Sequence, residues 1–151
     1  MEQRRFGSTG LTVSAIGFGG APIGVLATDQ ERVTSILNAL LDQGVNVIDT
    51  AAGYRGSEAA IGDAIGHRRE EFVLISKCGQ TFPDLTGDAW SAEVIGHTID
   101  RSLQRLKTEY LDVMLLHTCD LRTLQLGEAI GALVKAREQG KIRFCGYSGD
   151  N

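Results

Sequence analysis

The segment VNVIDTAAGY, residues 45–54, starts as an apolar run and continues into a polar loop. The apolar run ends at Asp49, and Tyr54 follows five residues later in a loop that contains glycine. Two further apolar runs end in the same way, one at Lys77 and the other at His117. Nearly continuous apolar runs of this length are typical of parallel strands that are covered on both faces. We therefore predict buried parallel strands that carry polar residues at their carboxyl ends.

Helical patterns separate the apolar runs, and this alternation predicts an α/β fold built on a parallel sheet. A short β-hairpin is expected first, from residues 4–6 and 11–13. The predicted strands of the sheet are residues 15–19, 45–49, 72–77, 111–117 and 142–147. The predicted helices are residues 29–43, 57–65 and 126–139, and between the second and the last a further helix is expected after Ser91 as its N-cap, with Ile95, Ile99, Leu103 and Leu106 on its inner face.

Local signals set the predicted helix boundaries. Thr28 and Glu31 form a capping-box pattern ahead of the first long helix. Gly44 follows that helix and can end it in the left-handed conformation. Gly140 stands at the same place after the last helix, whose predicted buried residues are Ile130, Leu133 and Val134.

Composition narrows the class of protein. The 151 residues fit a single domain, and the net charge of -4 with no basic block gives no support to nucleic-acid binding. No apolar run approaches the roughly 20 residues that a membrane span needs. The three cysteines are odd in number and widely spaced, which argues against a disulfide framework or a zinc site and fits a reducing cytoplasm.

The carboxyl ends of parallel strands lie on one rim, and active sites of α/β barrels lie on that rim. An acid (Asp49), a phenol (Tyr54), an ammonium (Lys77) and an imidazole (His117) are therefore expected to converge there. Asp49 can keep a partly buried Lys77 charged. A phenol is a poor proton donor at neutral pH, and a nearby ammonium makes it a better one. Tyr54 is thus the candidate acid, and His117 can orient a carbonyl oxygen or share a proton.

Each of these residues also has a purely structural interpretation, which the sequence leaves open. Lys77 can extend its ammonium into water, and Asp49 can cap the loop that follows it. Tyr54 can be a packing residue of the loop, and His117 can be a hydrogen-bonded core residue. The convergence of all four on one rim favours catalysis.

The glycines after the first strand suggest a ligand that approaches the backbone. Residues 17–22, GFGGAP, begin like a dinucleotide-binding fingerprint, but Pro22 stands at the third glycine position and no helix is expected to open there. A tight turn at Gly19 and Gly20 that admits a flat ligand fits better. Residues 148–151, SGDN, follow the last strand on the same rim and either bind a ligand amide or form an ordinary loop. Four other residues are expected to have no catalytic role. Cys78 and Cys119 are predicted to be small apolar fillers, and His67 and His97 are predicted to be surface residues.

Taken together, these residues resemble the N-terminal part of an aldo-keto reductase. The resemblance extends along the whole chain and rests on FGSTGLTVS (6–14), GFGG (17–20), DTAAGY (49–54), GSE (56–58), SK (76–77), SLQRL (102–106), LLH (115–117) and GKIR (140–143). It implies one domain, residues 1–151, that forms about five βα strands of a (β/α)8 TIM barrel with an N-terminal β-hairpin. KCG (77–79) and GYSGD (146–150) are similar to the sugar or aldose dehydrogenase branch.

The resemblance also implies an activity, namely NADPH-linked reduction of aldehydes and ketones or the reverse oxidation of sugar alcohol groups. Tyr54 is then the general acid or base, Lys77 and Asp49 tune it, and His117 positions the substrate oxygen. Ser148 matches the residue that meets the nicotinamide amide, and Gly149 replaces the usual asparagine, so that this contact falls to Asp150 or Asn151. The expected cofactor-binding residues are Gly19, Gly20, Asp49, Ser148 and Gly149.

The length of the chain qualifies this expectation. A (β/α)8 barrel typically takes about 250 residues, and the sequence accounts for five strands. In the family, later strands supply most contacts to the cofactor phosphates, so NADP binding is expected to be weakened or lost. Unpaired barrel edges are expected to favour self-association. Two alternatives to an active oxidoreductase therefore stay open: a truncated, catalytically silent homologue, and an interaction module that uses the open barrel edge.

Overall fold

The computed structural model describes residues 1–149 as a β-hairpin followed by an α/β unit. Strands β1 (Gln3–Arg5) and β2 (Thr12–Ser14) pair antiparallel. The strands of the parallel sheet follow in chain order: β3 (Phe18–Gly19), β4 (Val47–Asp49), β5 (Val73–Cys78), β6 (Leu111–His117) and β7 (Ile142–Ser148). The predicted α/β class, with five parallel strands and a hairpin, is confirmed.

Helices connect the strands and cover the outer face of the sheet. They are α1 (Ala21–Val25), α2 (Gln30–Asp42), α3 (Ser57–Ile65), α4 (Ala92–Leu106), α5 (Leu121–Leu126) and α6 (Glu128–Glu138), with a 3-10 helix at Gly66–Glu71. None of the helices within residues 1–149 is long and apolar enough to cross a membrane.

The sheet has an apolar layer on each face. The outer layer lies between the sheet and the helices and includes fully buried side chains such as Leu37, Ile48 and Ile99. The inner layer is smaller, and there Leu11 and Val13 of the hairpin pack on Val73, Ile75 and Val113 of the sheet. Burial of a leucine or isoleucine side chain stabilises a fold by about 1.5–3 kcal/mol. The two layers therefore fix the strands, and with them the strand ends.

Two of the predicted helix ends agree with the structure, and one helix start does not. Gly44 and Gly140 follow α2 and α6 with φ of +79° and +75°, the left-handed conformation expected for them. The N-cap of α2 is Asp29, whose carboxylate accepts a hydrogen bond from Arg32 N at 2.9 Å, so the predicted cap at Thr28 is wrong. The backbone N–H of Thr28 instead donates to Ile23 O, which ties Thr28 to the end of α1.

A helix does open directly after the glycine turn, contrary to the expectation from the sequence. Helix α1 begins at Ala21, with Pro22 in its first turn. Proline is favoured in that position because the N–H groups of a first turn have no helical partner and its φ is already helical. Pro22 thus starts this short helix.

The helix predicted at residues 126–139 corresponds to α6, and the separate helix α5 that precedes it was not expected from the sequence. Gly127 separates them with φ of +78°, a left-handed conformation that breaks the helical path. Helix α6 buries Ala129, Leu133 and Ala136, whereas Ile130 is 44% exposed and Val134 is only partly buried. The predicted burial of Ile130 is therefore wrong, whereas that of Leu133 is confirmed.

Candidate active site

The four ionisable residues predicted to converge lie together at the carboxyl ends of the strands. Lys77 belongs to β5, Asp49 closes β4, and His117 closes β6. The register places Asp49 opposite Ile75 and Lys77 opposite Leu115, so the ends of these strands lie side by side. Tyr54 lies in the loop between β4 and α3.

The Lys77 side chain is buried and its ammonium group is hydrogen-bonded. Its ammonium donates to an Asp49 carboxylate oxygen at 2.7 Å and to the Thr50 carbonyl oxygen at 2.8 Å. The Lys77 side chain is 6% exposed, whereas that of Asp49 is 36% exposed. The structure therefore excludes the interpretation in which Lys77 extends into water. A buried ammonium needs such a partner, because its charge is costly to remove from water.

The Tyr54 ring lies next to both Lys77 and His117. The Lys77 ammonium nitrogen is 4.9 Å from the centroid of the Tyr54 ring, within the range of a cation–π contact. The Tyr54 and His117 rings meet edge to face, with centroids 5.9 Å apart and planes at 86°. A phenol, an ammonium and an imidazole thus share one small space, with the Asp49 carboxylate behind the ammonium.

The environment of His117 favours its neutral form. Burial lowers the pKa of His117 below its ordinary value of 6.5, the positive charge of Lys77 lowers it further, and Asp49 partly opposes both. A neutral imidazole has one N–H donor and one acceptor nitrogen. His117 can therefore either donate a hydrogen bond to an oxygen or accept one, without a charge of its own.

The two glycines of the turn after β3 differ in what surrounds them. Gly19 pairs with Asp49 in the sheet, and the space where its side chain would be is open. A Cβ built on Gly20 would lie only 2.7 Å from Ser57 Oγ. Packing inside the protein accounts for glycine at position 20, whereas the open space at Gly19 leaves room for a ligand.

The end of β7 brings Ser148 to the same rim. Ser148 pairs with His117 in the sheet, and its carbonyl oxygen accepts a hydrogen bond from Thr118 N at 2.8 Å. A side chain on Gly149 would overlap the phenol oxygen of Tyr147, so this position has only backbone groups to offer a ligand. Asp150 and Asn151, the predicted substitutes for the usual asparagine, lie outside the described residues.

The remaining candidates lie where the sequence placed them. Cys78 is 2% and Cys119 5% exposed. Burial, with smaller contributions from Glu58 and Cys119, raises the pKa of the Cys78 thiol to about 12, so it is protonated and unreactive at neutral pH. His67 and His97 are exposed, as predicted for surface residues.

Sequence reasoning gave no role to two buried polar residues beside the Tyr54 loop. Ser57 is 0% and Glu58 2% exposed. Ser57 Oγ donates to Gly20 O and is 2.9 Å from Thr50 Oγ1, while Glu58 accepts a hydrogen bond from Ser76 Oγ at 2.7 Å. The available signal was the pair of polar residues at the start of a short, mostly apolar helix.

A parallel sheet in barrel order, with polar residues at its strand ends, defines part of an α/β barrel with a candidate site on its carboxyl rim. The family model described as aldo/keto reductase family matches residues 15–151, and the chain belongs to that family. The resemblance to aldo-keto reductases that the sequence indicated is thereby confirmed. The predicted partial (β/α)8 barrel is confirmed too, because solved aldo-keto reductases have the same fold over this part of the chain.

Three relatives illustrate the similarity. The chain is 35% identical to an L-galactose dehydrogenase of Arabidopsis thaliana over 99% of its own length and 49% of that protein. It matches an aldo-keto reductase structure from Bacillus halodurans with a TM-score of 0.88 and 32% identity, covering 98% of this chain and 50% of the other. It also matches an aldo/keto reductase from Klebsiella pneumoniae in complex with NADP and acetate (TM-score 0.76, 36% identity, 94% and 48% covered). The chain thus spans about half the length of the relatives it matches.

Proposed function

We propose that this chain carries the catalytic residues of an NADPH-linked oxidoreductase that reduces aldehydes or ketones, or oxidises sugar alcohol groups. The observation that supports this most directly is the position of the Tyr54 ring, with the Lys77 ammonium 4.9 Å from its centroid and the His117 ring 5.9 Å away. A proton donor, a positive charge that makes it a better donor, and a neutral hydrogen-bonding group are what carbonyl reduction requires of a protein.

In this proposal each residue acts on the substrate oxygen or on its neighbour. The Tyr54 phenol gives a proton to the carbonyl oxygen during reduction and takes one from the alcohol during oxidation. The Lys77 ammonium stabilises the negative charge that develops on the Tyr54 oxygen, and Asp49, 2.7 Å from that ammonium, holds it in place by an ion pair. The neutral His117 imidazole donates its N–H to the substrate oxygen and holds it near Tyr54.

The residues on the rim fit the nicotinamide end of NADPH. A flat ring can approach the rim through the open space at Gly19. Polar groups flank that space, namely the partly exposed Asp49 carboxylate and the half-buried Ser148 beside His117. Hydride transfer to the carbonyl carbon is the chemistry that a bound NADPH supplies. Support for the choice of cofactor comes from the Klebsiella pneumoniae relative in complex with NADP.

The substrate class is a small carbonyl compound or a sugar. The similarity to an L-galactose dehydrogenase, at 35% identity, supports the sugar branch of the family. The exposed part of Asp49 and the rings of Tyr54 and His117 suit a polar substrate with an apolar face.

The test is titration of NADPH into the purified chain, followed by fluorescence, and then turnover of a panel of aldehydes and sugars. Saturable binding at micromolar cofactor, turnover in the wild type, and loss of turnover with binding retained in Tyr54→Phe would support the proposal. Tyr110→Phe is the matched control, because Tyr110 precedes β6 at the opposite end of the sheet and its hydroxyl contacts Glu70.

Two results would contradict the proposal. Turnover that is unchanged in Tyr54→Phe would remove Tyr54 from the chemistry. No binding at millimolar NADPH would make the chain catalytically silent by itself and would favour the two alternatives, a silent homologue or an interaction module.

A further inference from the structure

We infer that Ser57 is a positioning residue that fixes Tyr54 relative to Lys77, because it forms hydrogen bonds with the residues that hold both of them in place. This inference rests on the proposed function for its catalytic consequence, but the contacts that carry it are independent of that function. Ser57 is the first residue of α3, is completely buried, and lies three residues after Tyr54.

The backbone of Ser57 holds Tyr54 directly. Ser57 N donates to Tyr54 O at 2.9 Å, and Tyr54 N donates to Ala51 O at 2.9 Å. Two consecutive turns thus enclose Tyr54, and the second turn ends at Ser57. Movement of Ser57 would therefore move the Tyr54 backbone.

The side chain of Ser57 is anchored in two neighbouring strand ends. Its hydroxyl donates to Gly20 O at 2.9 Å, at the turn after β3. The same hydroxyl is 2.9 Å from Thr50 Oγ1, just after β4. Because Ser57 Oγ has one hydrogen and gives it to Gly20, the Thr50 hydroxyl is the donor in the second contact.

Thr50 is also a support of Lys77. The Thr50 carbonyl oxygen accepts a hydrogen bond from the Lys77 ammonium at 2.8 Å, and Thr50 N donates to Ile75 O at 2.8 Å. Ser57 therefore contacts Tyr54 through its backbone and the residue that holds Lys77 through its side chain. No other residue within 1–149 makes hydrogen bonds to both Tyr54 and Thr50.

The loop that contains Tyr54 is closely packed around Ser57. Gly20 has no room for a side chain, because Ser57 Oγ lies 2.7 Å from where its Cβ would be. On the other side of the loop, Gly24 of α1 lies against the backbone of Arg55, where a side chain would overlap Arg55 O. The loop is thus held between two glycines that permit close approach. At the first of them, Gly20, Ser57 supplies the hydrogen bond.

The experiment compares amide hydrogen exchange in the wild type with that in Ser57→Ala, Thr50→Val and Ser102→Ala. Ser102 is the matched control, because it is also completely buried but its hydroxyl has no hydrogen-bond partner among the described residues. We expect the amides of Ala52 and Tyr54 to exchange about tenfold faster in Ser57→Ala, which loses two hydrogen bonds, and faster by a smaller factor in Thr50→Val, which loses one. Exchange elsewhere, and all exchange in Ser102→Ala, should match the wild type.

Turnover adds a second readout. In a chain that reduces a carbonyl substrate, Ser57→Ala should lower kcat about tenfold with KM nearly unchanged, because a misplaced acid affects the chemical step more than binding. A chain without turnover contradicts the proposed function alone, and the exchange result still decides the role of Ser57.

Two exchange results would overturn the inference: unchanged exchange at Ala52 and Tyr54, or acceleration spread evenly over all amides. The first shows that Ser57 does not hold the loop, and the second shows that it serves only global stability. If Ser57→Ala does not fold, Thr50→Val decides in the same way, because it removes the partner hydroxyl and keeps the branched shape of the side chain.

Discussion

Gly62 lies so close to Arg105 that a methyl group added to it would overlap the Arg105 carbonyl oxygen and lie 2.9 Å from the Cα of Leu106. This contact brings the backbone of α3 directly against the last turn of α4. Helix α3 begins with Ser57 and Glu58, directly after the Tyr54 loop. The packing of α3 on α4 therefore also determines where the Tyr54 loop lies on the rim. A contact far from the rim therefore contributes to the geometry of the site.

We predict that Gly62→Ala destabilises the fold. The added methyl meets backbone atoms that cannot rotate away, so α3 must shift, and overpacking of this kind costs about 1–3 kcal/mol. Gly131→Ala is the control, because Gly131 lies in α6 with nothing within 4 Å of an added Cβ and should gain about 0.5–1 kcal/mol from helix propensity. Urea unfolding followed by the fluorescence of the single tryptophan, Trp90, measures both. Equal stability of the two variants would contradict the close packing.

A second prediction compares two completely buried serines, one with and one without a hydrogen-bond partner. Ser76 Oγ donates to Glu58 at 2.7 Å, and the other Glu58 oxygen has only Arg105 Nη1, 3.7 Å away. Ser76→Ala removes the donor of the Glu58 oxygen that accepts from Ser76 and leaves that buried oxygen unpaired. The free energy of unfolding should fall by about 1–3 kcal/mol.

Ser102→Ala gives the comparison for Ser76→Ala. The Ser102 hydroxyl is buried with no hydrogen-bond partner among the described residues, so its removal should be neutral or stabilising. The two free energies of unfolding come from the same urea titration. A loss in Ser102→Ala as large as that in Ser76→Ala would show that packing, and not hydrogen bonding, determines both values.

Much of the site could be predicted because its residues mark the ends of apolar runs. Asp49 and His117 each close a strand and Lys77 is the last residue but one of β5, and parallel strands end on one rim, so their proximity follows from the fold class. Tyr54 follows Asp49 closely enough to remain on that rim. The burial of Lys77 could not be decided from the sequence, because it depends on the carbonyl of Thr50 and the carboxylate of Asp49 in the folded chain.

Other features depend on partners far away in the chain and left no local pattern. Ser57 bonds to Gly20, 37 residues earlier, and Glu58 bonds to Ser76, 18 residues later. The start of α1 was missed because proline both breaks helices and begins them, and only the backbone around Pro22 decides between the two.

A third prediction concerns the edges of the sheet. Within residues 1–149, β3 and β7 each pair with one neighbour only, and Phe144 and Leu115 on the inner face are only partly buried. Unpaired strand edges beside partly exposed apolar side chains favour association. We expect the 151-residue chain to form oligomers or aggregates whose mass, measured by light scattering, rises with protein concentration. A monodisperse monomer across that range would contradict the prediction.

A fourth prediction concerns the ion pair between Lys77 and Asp49. Asp49→Asn leaves the buried ammonium with the Thr50 carbonyl and no negative partner, so the folded state should lose stability. Because the Asp49 side chain is 36% exposed, water screens part of the effect, and we expect a loss of about 1–2 kcal/mol.

The double-mutant cycle with Lys77→Met isolates the interaction of this pair. If the two charges stabilise each other, Asp49→Asn combined with Lys77→Met should cost less than the sum of the single changes. Urea unfolding of the four proteins provides the values. Additive losses would mean that the 2.7 Å contact contributes no net stability.

The last prediction is the effect of pH on stability through His117. Its pKa in the folded protein is lowered below 6.5, first by burial and then by the charge of Lys77. The unfolded chain therefore binds the proton before the folded chain does as the pH falls. The contribution of His117 to stability is fully present above the unfolded pKa of about 6.5 and is lost as the pH falls toward the folded pKa, with a slope of at most about 1.4 kcal/mol per pH unit. Urea unfolding of the wild type and of His117→Gln between pH 8 and pH 5, about 1.5 units on either side of the unfolded value, should show a difference that shrinks with acidity. Lys77→Met should reduce this pH dependence, because one of the two causes of the lowered pKa is removed. A pH dependence that is the same with and without His117 would place the titrating group elsewhere in the chain.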